Sequence, residues 1–78
     1  MDWILFYHVG TMNCYMWNGE YPVGVTPKGE AWCDVNDIKV TPEEVKAITS
    51  VIGNRKRTFK IKGRGEFHVV EKGKFIQK

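Results

Sequence analysis

"VTPEEVKAITSVIG", Val40 to Gly53, is the stretch on which the fold turns. Thr41 carries the side-chain oxygen wanted at an N-cap, and Pro42 has the fixed φ and missing N–H that suit a first helical position. Glu44 stands three residues after Thr41, where its carboxylate reaches back to complete a capping box, and Val40 and Val45 occupy the positions of a hydrophobic staple. Val45, Ile48, Val51 and Ile52 recur on one face, whereas Glu43, Glu44 and Lys46 are free to point outward, and Gly53 supplies the stop. The pattern predicts one amphipathic helix, which needs an apolar layer to lie on.

The chain on either side reads as short extended segments between turns. Asn18-Gly19 predicts a two-residue hairpin joining Cys14–Trp17 to Glu20–Thr26, because both turn positions tolerate positive φ. Pro22 puts its strand at an edge or at its own start, since it has no N–H for a central ladder. Pro27-Lys28-Gly29 predicts a second turn, leading into Ala31–Val35. Gly63-Arg64-Gly65 and Lys72-Gly73 divide the rest into Thr58–Lys62, Glu66–Glu71 and Lys74–Gln77. The opening segment also reads as a strand. The expected fold is α+β: a small antiparallel β-sheet with one helix packed on it.

Composition limits what such a scaffold can carry. Its 78 residues make one domain, 1–78, of a size that buries about 60% of its unfolded surface. With 42% hydrophobic and 27% charged residues the chain has the composition of a globular protein. The apolar run Trp3 to Val9 is too short to span a bilayer and follows Asp2 rather than a basic n-region, so neither a signal peptide nor a membrane anchor is expected, and the setting is cytoplasmic. Cys14 and Cys33 make an even pair that could close a loop, but outside any CxxC unit and without a secretory signal they are expected as reduced, half-buried thiols.

His8 and His68 are the only imidazoles, and no nucleophile stands beside a base at a recognisable spacing. No pair among these histidines and cysteines has the short spacing usual in structural zinc sites. No catalytic residue, metal site or cofactor is expected, and His68 beside Glu66 reads as a satisfied surface pair.

Charge is divided unequally along the chain. Up to Gly53, Lys28, Lys39 and Lys46 stand against seven acids, a balance of −4; from Asn54 onward nine Lys or Arg stand against Glu66 and Glu71, a balance of +7, and the two sum to the net +3. Such asymmetry makes a field with a positive end that steers an acidic partner. In "IGNRKRTFKIKGRGEF", Ile52 to Phe67, alternation sends Phe59 and Ile61 to the core and Thr58, Lys60 and Lys62 to the other face. Arg55, Lys56, Arg57 and Arg64 lie in the flanking turns, so the cations are expected to converge on one side. "KGRGEFHV", Lys62 to Val69, resembles part of the RNA-recognition strand motif but has Arg64 and Glu66 where base-stacking rings belong.

The middle of the chain resembles the first half of profilin. In "GVTPKGEAWCDVNDIKVTPEEVKAITSVIGNRKRTFKIKGRGEFHVVEKGKFI", Gly24 to Ile76, a Gly-bearing hairpin leads to Trp32, then a Thr-Pro-Glu-Glu helix start, a strand, a Gly turn and a strand ending in Val-Val. "MDWILF" is similar to that family's Met-x-Trp-x-x-Tyr opening, with Phe6 in place of Tyr. The resemblance spans most of this chain and about half of a profilin, without the family's C-terminal strands and helix. It implies an antiparallel sheet with helices against it and an aromatic groove for proline-rich peptides at Trp3, Phe6 and Trp32. Aromatic surfaces suit such ligands because a polyproline II segment is stiff before it binds. Actin binding does not carry over, because most of that surface belongs to the half without a counterpart here.

These readings lead to a small non-enzymatic interaction module that binds a protein with an acidic or proline-rich surface, through the basic residues, the aromatic groove, or both. Nucleic acid is the alternative partner, and stoichiometric inhibition of a host complex by a phage- or virus-encoded protein is a third use of so short a chain.

Overall fold

The computed structural model describes residues 2–25 and 40–75. Five strands and one helix follow in the order β1 (Asp2–His8), β2 (Cys14–Trp17), β3 (Pro22–Gly24), α1 (Pro42–Thr49), β4 (Thr58–Ile61) and β5 (Gly65–Lys74). The strands form one antiparallel sheet in the order β3-β2-β1-β5-β4, with β3 and β4 at the edges. The expected α+β architecture of a single helix on an antiparallel sheet is what the chain adopts.

The helix begins as its sequence dictates. Thr41 caps it by accepting from the Glu44 N–H at 3.1 Å, while the Glu44 carboxylate accepts from the Thr41 N–H at 3.3 Å. Val40 and Val45, the staple pair, both pack against the core. Its end comes earlier than Gly53: α1 stops at Thr49, and Ser50, whose N–H bonds back to Ala47, is the C-cap. Val51 therefore lies beyond the helix, in the turns that follow, yet is fully buried.

Strand alternation sends Ile4, Phe6, Tyr15, Trp17, Phe59, Ile61, Phe67 and Val69 to one face, where they meet Ile48 and Val51. Phe6 is the centre of this layer, its ring 5.2 Å from Phe59, 5.7 Å from Phe67 and 5.8 Å from Tyr15. Phe59 and Phe67, direct partners across β4 and β5, stack with an interplanar angle of 7°. Trp3, Leu5, Tyr7, Met16 and His68 point to the opposite face of the sheet and are half-buried.

Two turn expectations need correction. The β2–β3 connection has four residues, not two, because Trp17 pairs with Pro22. Asn18 organises it by accepting from the N–H groups of Glu20 at 2.8 Å and Tyr21 at 2.9 Å, a side-chain turn that moves the partner of Trp17 on by two residues, from Glu20 to Pro22. Pro22 does stand at the start of its strand, and that strand is an edge. Lys72-Gly73 is not a turn at all: β5 runs through it to Lys74, paired along the whole of β1.

A bulge explains how the long strand holds together. The register shifts between Leu5, which faces Glu71, and Phe6, which faces Val69, leaving Val70 as the extra residue. The shift reverses the parity of β5, so that Val69 and Lys72 share the helix side although they are three residues apart. Lys72 there donates from Nζ to the carbonyl oxygens of Val51, Asn54 and Lys56, tying the segment after the helix to the sheet. Gly73 falls on the other face directly under Trp3, where a Cβ would stand only 2.7 Å from the indole. The turn Pro27-Lys28-Gly29, the segment Ala31–Val35, Trp32, Cys33 and the end of Lys74–Gln77 lie outside the described residues.

Candidate interaction surface

The basic residues collect along β4 and at its two ends. Before the strand, the Asn54 side chain accepts from the Lys56 N–H at 2.7 Å and donates to the Ser50 carbonyl at 2.7 Å, while Lys72 binds the Asn54 and Lys56 carbonyls from beneath. This pinned backbone holds Arg55 and Lys56 outward, both exposed. Arg57 reaches back across the sheet, donating from Nη2 to the carbonyl of the bulge residue Val70 at 3.2 Å.

Within β4, Phe59 and Ile61 enter the core, and Thr58 and Lys60 are exposed on the other face, as the alternation requires. The turn that follows closes with the Arg64 N–H on the Ile61 carbonyl at 3.0 Å, and Gly63 takes the positive φ of 89° wanted at its third position. Lys62 stands exposed on this turn.

Arg64 behaves differently from the rest. Its Nε donates to the Glu44 carboxylate at 2.7 Å. Glu44, which the sequence leaves free to point outward, is instead buried: it serves the capping box and receives Arg64. Arg64 thus lies on the helix side of the sheet, while Lys60 lies on the open side. The cations do not converge on one face but wrap around the edge. Among the described residues, the charged groups of Arg55, Lys56, Lys60 and Lys62 make no hydrogen bond or ion pair.

A groove of about 590 Å³ runs beside this edge, between Thr41, Glu43 and Ala47 of the helix segment and Lys60, Ile61 and Lys62 of the strand and turn. Glu44, Gly63 and Arg64 complete its lining, so the apolar Ala47 and Ile61 stand there beside the paired Glu44 and Arg64.

Comparison with known protein families, curated proteins and solved structures finds no match to this chain.

The aromatic residues singled out from the sequence are not brought together. Phe6 is 0% exposed, in the middle of the core, whereas Trp3, three positions earlier in the same strand, stands on the opposite face against Gly73. An odd spacing along a strand puts two side chains on opposite faces. Trp32 lies outside the described residues.

Cross-strand register assembles a group that spacing along the chain conceals. Tyr7 and His68 are direct partners across β1 and β5, and the Tyr7 hydroxyl lies 3.1 Å from His68 Nδ1. His68 Nε2 lies 3.6 Å from the Glu66 carboxylate. The surface pair of His68 with Glu66 is therefore present, extended by Tyr7 from a strand 61 positions away in sequence. His8 ties two loops together: Nδ1 accepts from the Thr11 N–H at 3.0 Å, and Nε2 then donates to the Arg64 carbonyl at 2.6 Å.

Cys14 is half-buried, its Sγ 3.9 Å from the Met12 carbonyl. Among the described residues there is no group of three or more His, Cys, Asp or Glu side chains able to hold a metal ion. No helix among them is long and apolar enough to cross a membrane.

Proposed function

We propose that the chain is a non-enzymatic interaction module that binds a protein partner presenting an acidic surface, with the basic edge of the sheet as the docking site. The observation that carries this reading is the set Arg55, Lys56, Lys60 and Lys62, exposed and unpaired among the described residues, the first two on a backbone that Asn54 and Lys72 hold in place. A pinned loop matters because the cost of ordering it is met on folding and need not be met again on binding. Arg57 and Arg64 contribute charge from the same edge while also serving internal bonds. A groove for proline-rich peptides at Trp3 and Phe6 finds no support, since the two side chains do not share a surface.

One observation favours a second reading, single-stranded nucleic acid. Trp3, Tyr7 and His68 stand on the same open face as Lys60, so rings and a cation occupy one surface, the combination that stacks bases and tracks a phosphate backbone. The Tyr7 ring meets His68 edge to face at an interplanar angle of 66°, which breaks up a flat stacking platform and ranks this reading below the first.

The test compares the parent with the variant Arg55→Glu, Lys56→Glu, Arg57→Glu against fluorescent acidic peptides and single-stranded oligonucleotides over a range of salt. Acidic peptides are expected to bind the parent and to associate much more slowly with the variant, because such charges act chiefly on encounter. Tighter, salt-steep binding of oligonucleotides would make nucleic acid the better reading.

A further inference from the structure

Taking the basic edge as a protein-binding surface, we infer that its occupant is an extended segment of the partner, alternating acidic with apolar residues, that adds to the sheet as a further strand beside β4. The inference rests on that reading and deepens it, because the backbone, the groove and the charges each specify something different about the occupant.

The backbone comes first. The Val69 N–H donates to the Arg57 carbonyl at 2.8 Å, and the same register pairs Phe59 with Phe67 and Ile61 with Gly65. In an antiparallel ladder, both backbone groups of a residue face one neighbour and those of the next residue face the other. Arg57, Phe59 and Ile61 therefore bond to β5, and Thr58 and Lys60 turn their N–H and C=O groups away from it. Among the described residues no strand lies beyond β4 in the sheet, so those four groups form an open template for one more strand.

The groove specifies one row of side chains. A strand laid along β4 must point alternate residues to the helix side, into the groove lined there by Ala47, Ile61, Glu43, Glu44 and Arg64. Apolar residues suit that row over Ala47 and Ile61, because Arg64 is already paired with Glu44 there and Glu43 opposes an acid. The other row rises on the open face beside Lys60 and within reach of the cations at the two ends of β4. Acidic residues suit it. Directly opposed cross-strand charges of unlike sign stabilise a pair, and like charges destabilise it.

The same rule excludes a second copy of this chain. Pairing β4 with itself would bring Lys60, Lys62 and the Arg55–Arg57 cluster of one protomer against those of another. Lysines on an edge strand oppose self-pairing while leaving the edge open to a strand of opposite charge. The opposite edge, β3, offers only three residues beginning with Pro22, none of them a cation.

The deciding experiment uses the whole chain and a short fluorescein-labelled peptide alternating Glu with Val or Thr, read by anisotropy. Three controls accompany it: a peptide of the same composition with its acids and apolar residues in separate blocks, the alternating peptide N-methylated at the amides that would face β4, and the Thr58→Pro variant. Thr58→Pro removes an outward N–H from the first residue of an edge strand, a place where proline is tolerated, and leaves the bonds to β5 intact. The alternating peptide is expected to bind best, and N-methylation or Thr58→Pro to weaken it by about tenfold, the worth of one or two hydrogen bonds. Should Thr58→Pro lose the β4–β5 cross-strand signals in NMR spectra, the N-methylated peptide decides on its own. Equal binding of the alternating, block and N-methylated peptides would overturn strand addition and leave charge-driven docking standing. Absence of binding by every acidic peptide would overturn both.

Discussion

At the scale of single residues, Glu44 shows how one side chain joins local and long-range structure. Its capping role follows from its place three residues after Thr41; its burial follows from Arg64, twenty positions further on, which no local rule selects. Thr41→Ala is expected to cost about 0.5–2 kcal/mol, the usual loss of an N-cap. Glu44→Ala, which removes the back-bond to the cap and the acceptor for a cation together, should cost about 1.5–3 kcal/mol. Urea melts of the two variants check the order. Gly73 is the second such residue. An added Cβ meets the Trp3 indole at 2.7 Å, so Gly73→Ala must displace the ring or the strand, at roughly 1–3 kcal/mol for overpacking. The indole N–H resonance of Trp3 should move more than that of Trp17, which lies on the other face; an unmoved Trp3 resonance would contradict the close approach.

At the scale of elements, the helix and β5 give opposite lessons about local signals. The helix start carries its instructions in consecutive residues, and the structure follows them. Ile48 is fully buried against the sheet, so Ile48→Ala should cost about 2–5 kcal/mol, against little change for the exposed Lys46→Ala in the same melts. In β5, by contrast, Lys72-Gly73 has the composition of a turn, but tertiary partners override it. The Lys72 amine finds three carbonyls after the helix, and Gly73 makes room for Trp3. Lys72→Met keeps the length of the side chain and leaves those carbonyls without their donor. An expected loss of about 1.5–3 kcal/mol should come with faster hydrogen exchange over residues 51–57. Protection unchanged there would show that the loop is ordered without Lys72.

At the scale of the whole molecule, the two edges of the sheet are handled by different means. Pro22 and a three-residue length blunt β3, while charge guards β4. If the lysines are what keep β4 edges apart, Lys60→Thr with Lys62→Thr should make the protein self-associate with rising concentration in sedimentation experiments. The parent under the same conditions should do so less. A double variant as monodisperse as the parent would mean that the edge is guarded by something other than charge. Salt should act in the same direction on the parent, because screening weakens repulsion between exposed charges, most of all those more than about 10 Å apart at about 0.1 M ionic strength.

The sequence by itself determined those features whose causes lie within a few residues: the helix start at Thr41 to Glu44, the alternation of Phe59 and Ile61 with Thr58 and Lys60, the turn at Gly63, the edge position of Pro22, and the α+β class that these imply. Their physics is local, a matter of caps, φ preferences and side-chain period. Tertiary structure alone decided where the helix stops, how β5 continues past Gly73, and which faces Trp3 and Phe6 occupy relative to the core. It also decided that Arg64 turns inward to Glu44 while Lys60 and Lys62 stay in solvent, and that Tyr7, His68 and Glu66 meet. Each of these depends on strand order and register, which arise from packing one apolar face across segments far apart in the chain. A side chain's neighbours across a sheet are set by that packing, and nothing in its own stretch of sequence specifies them.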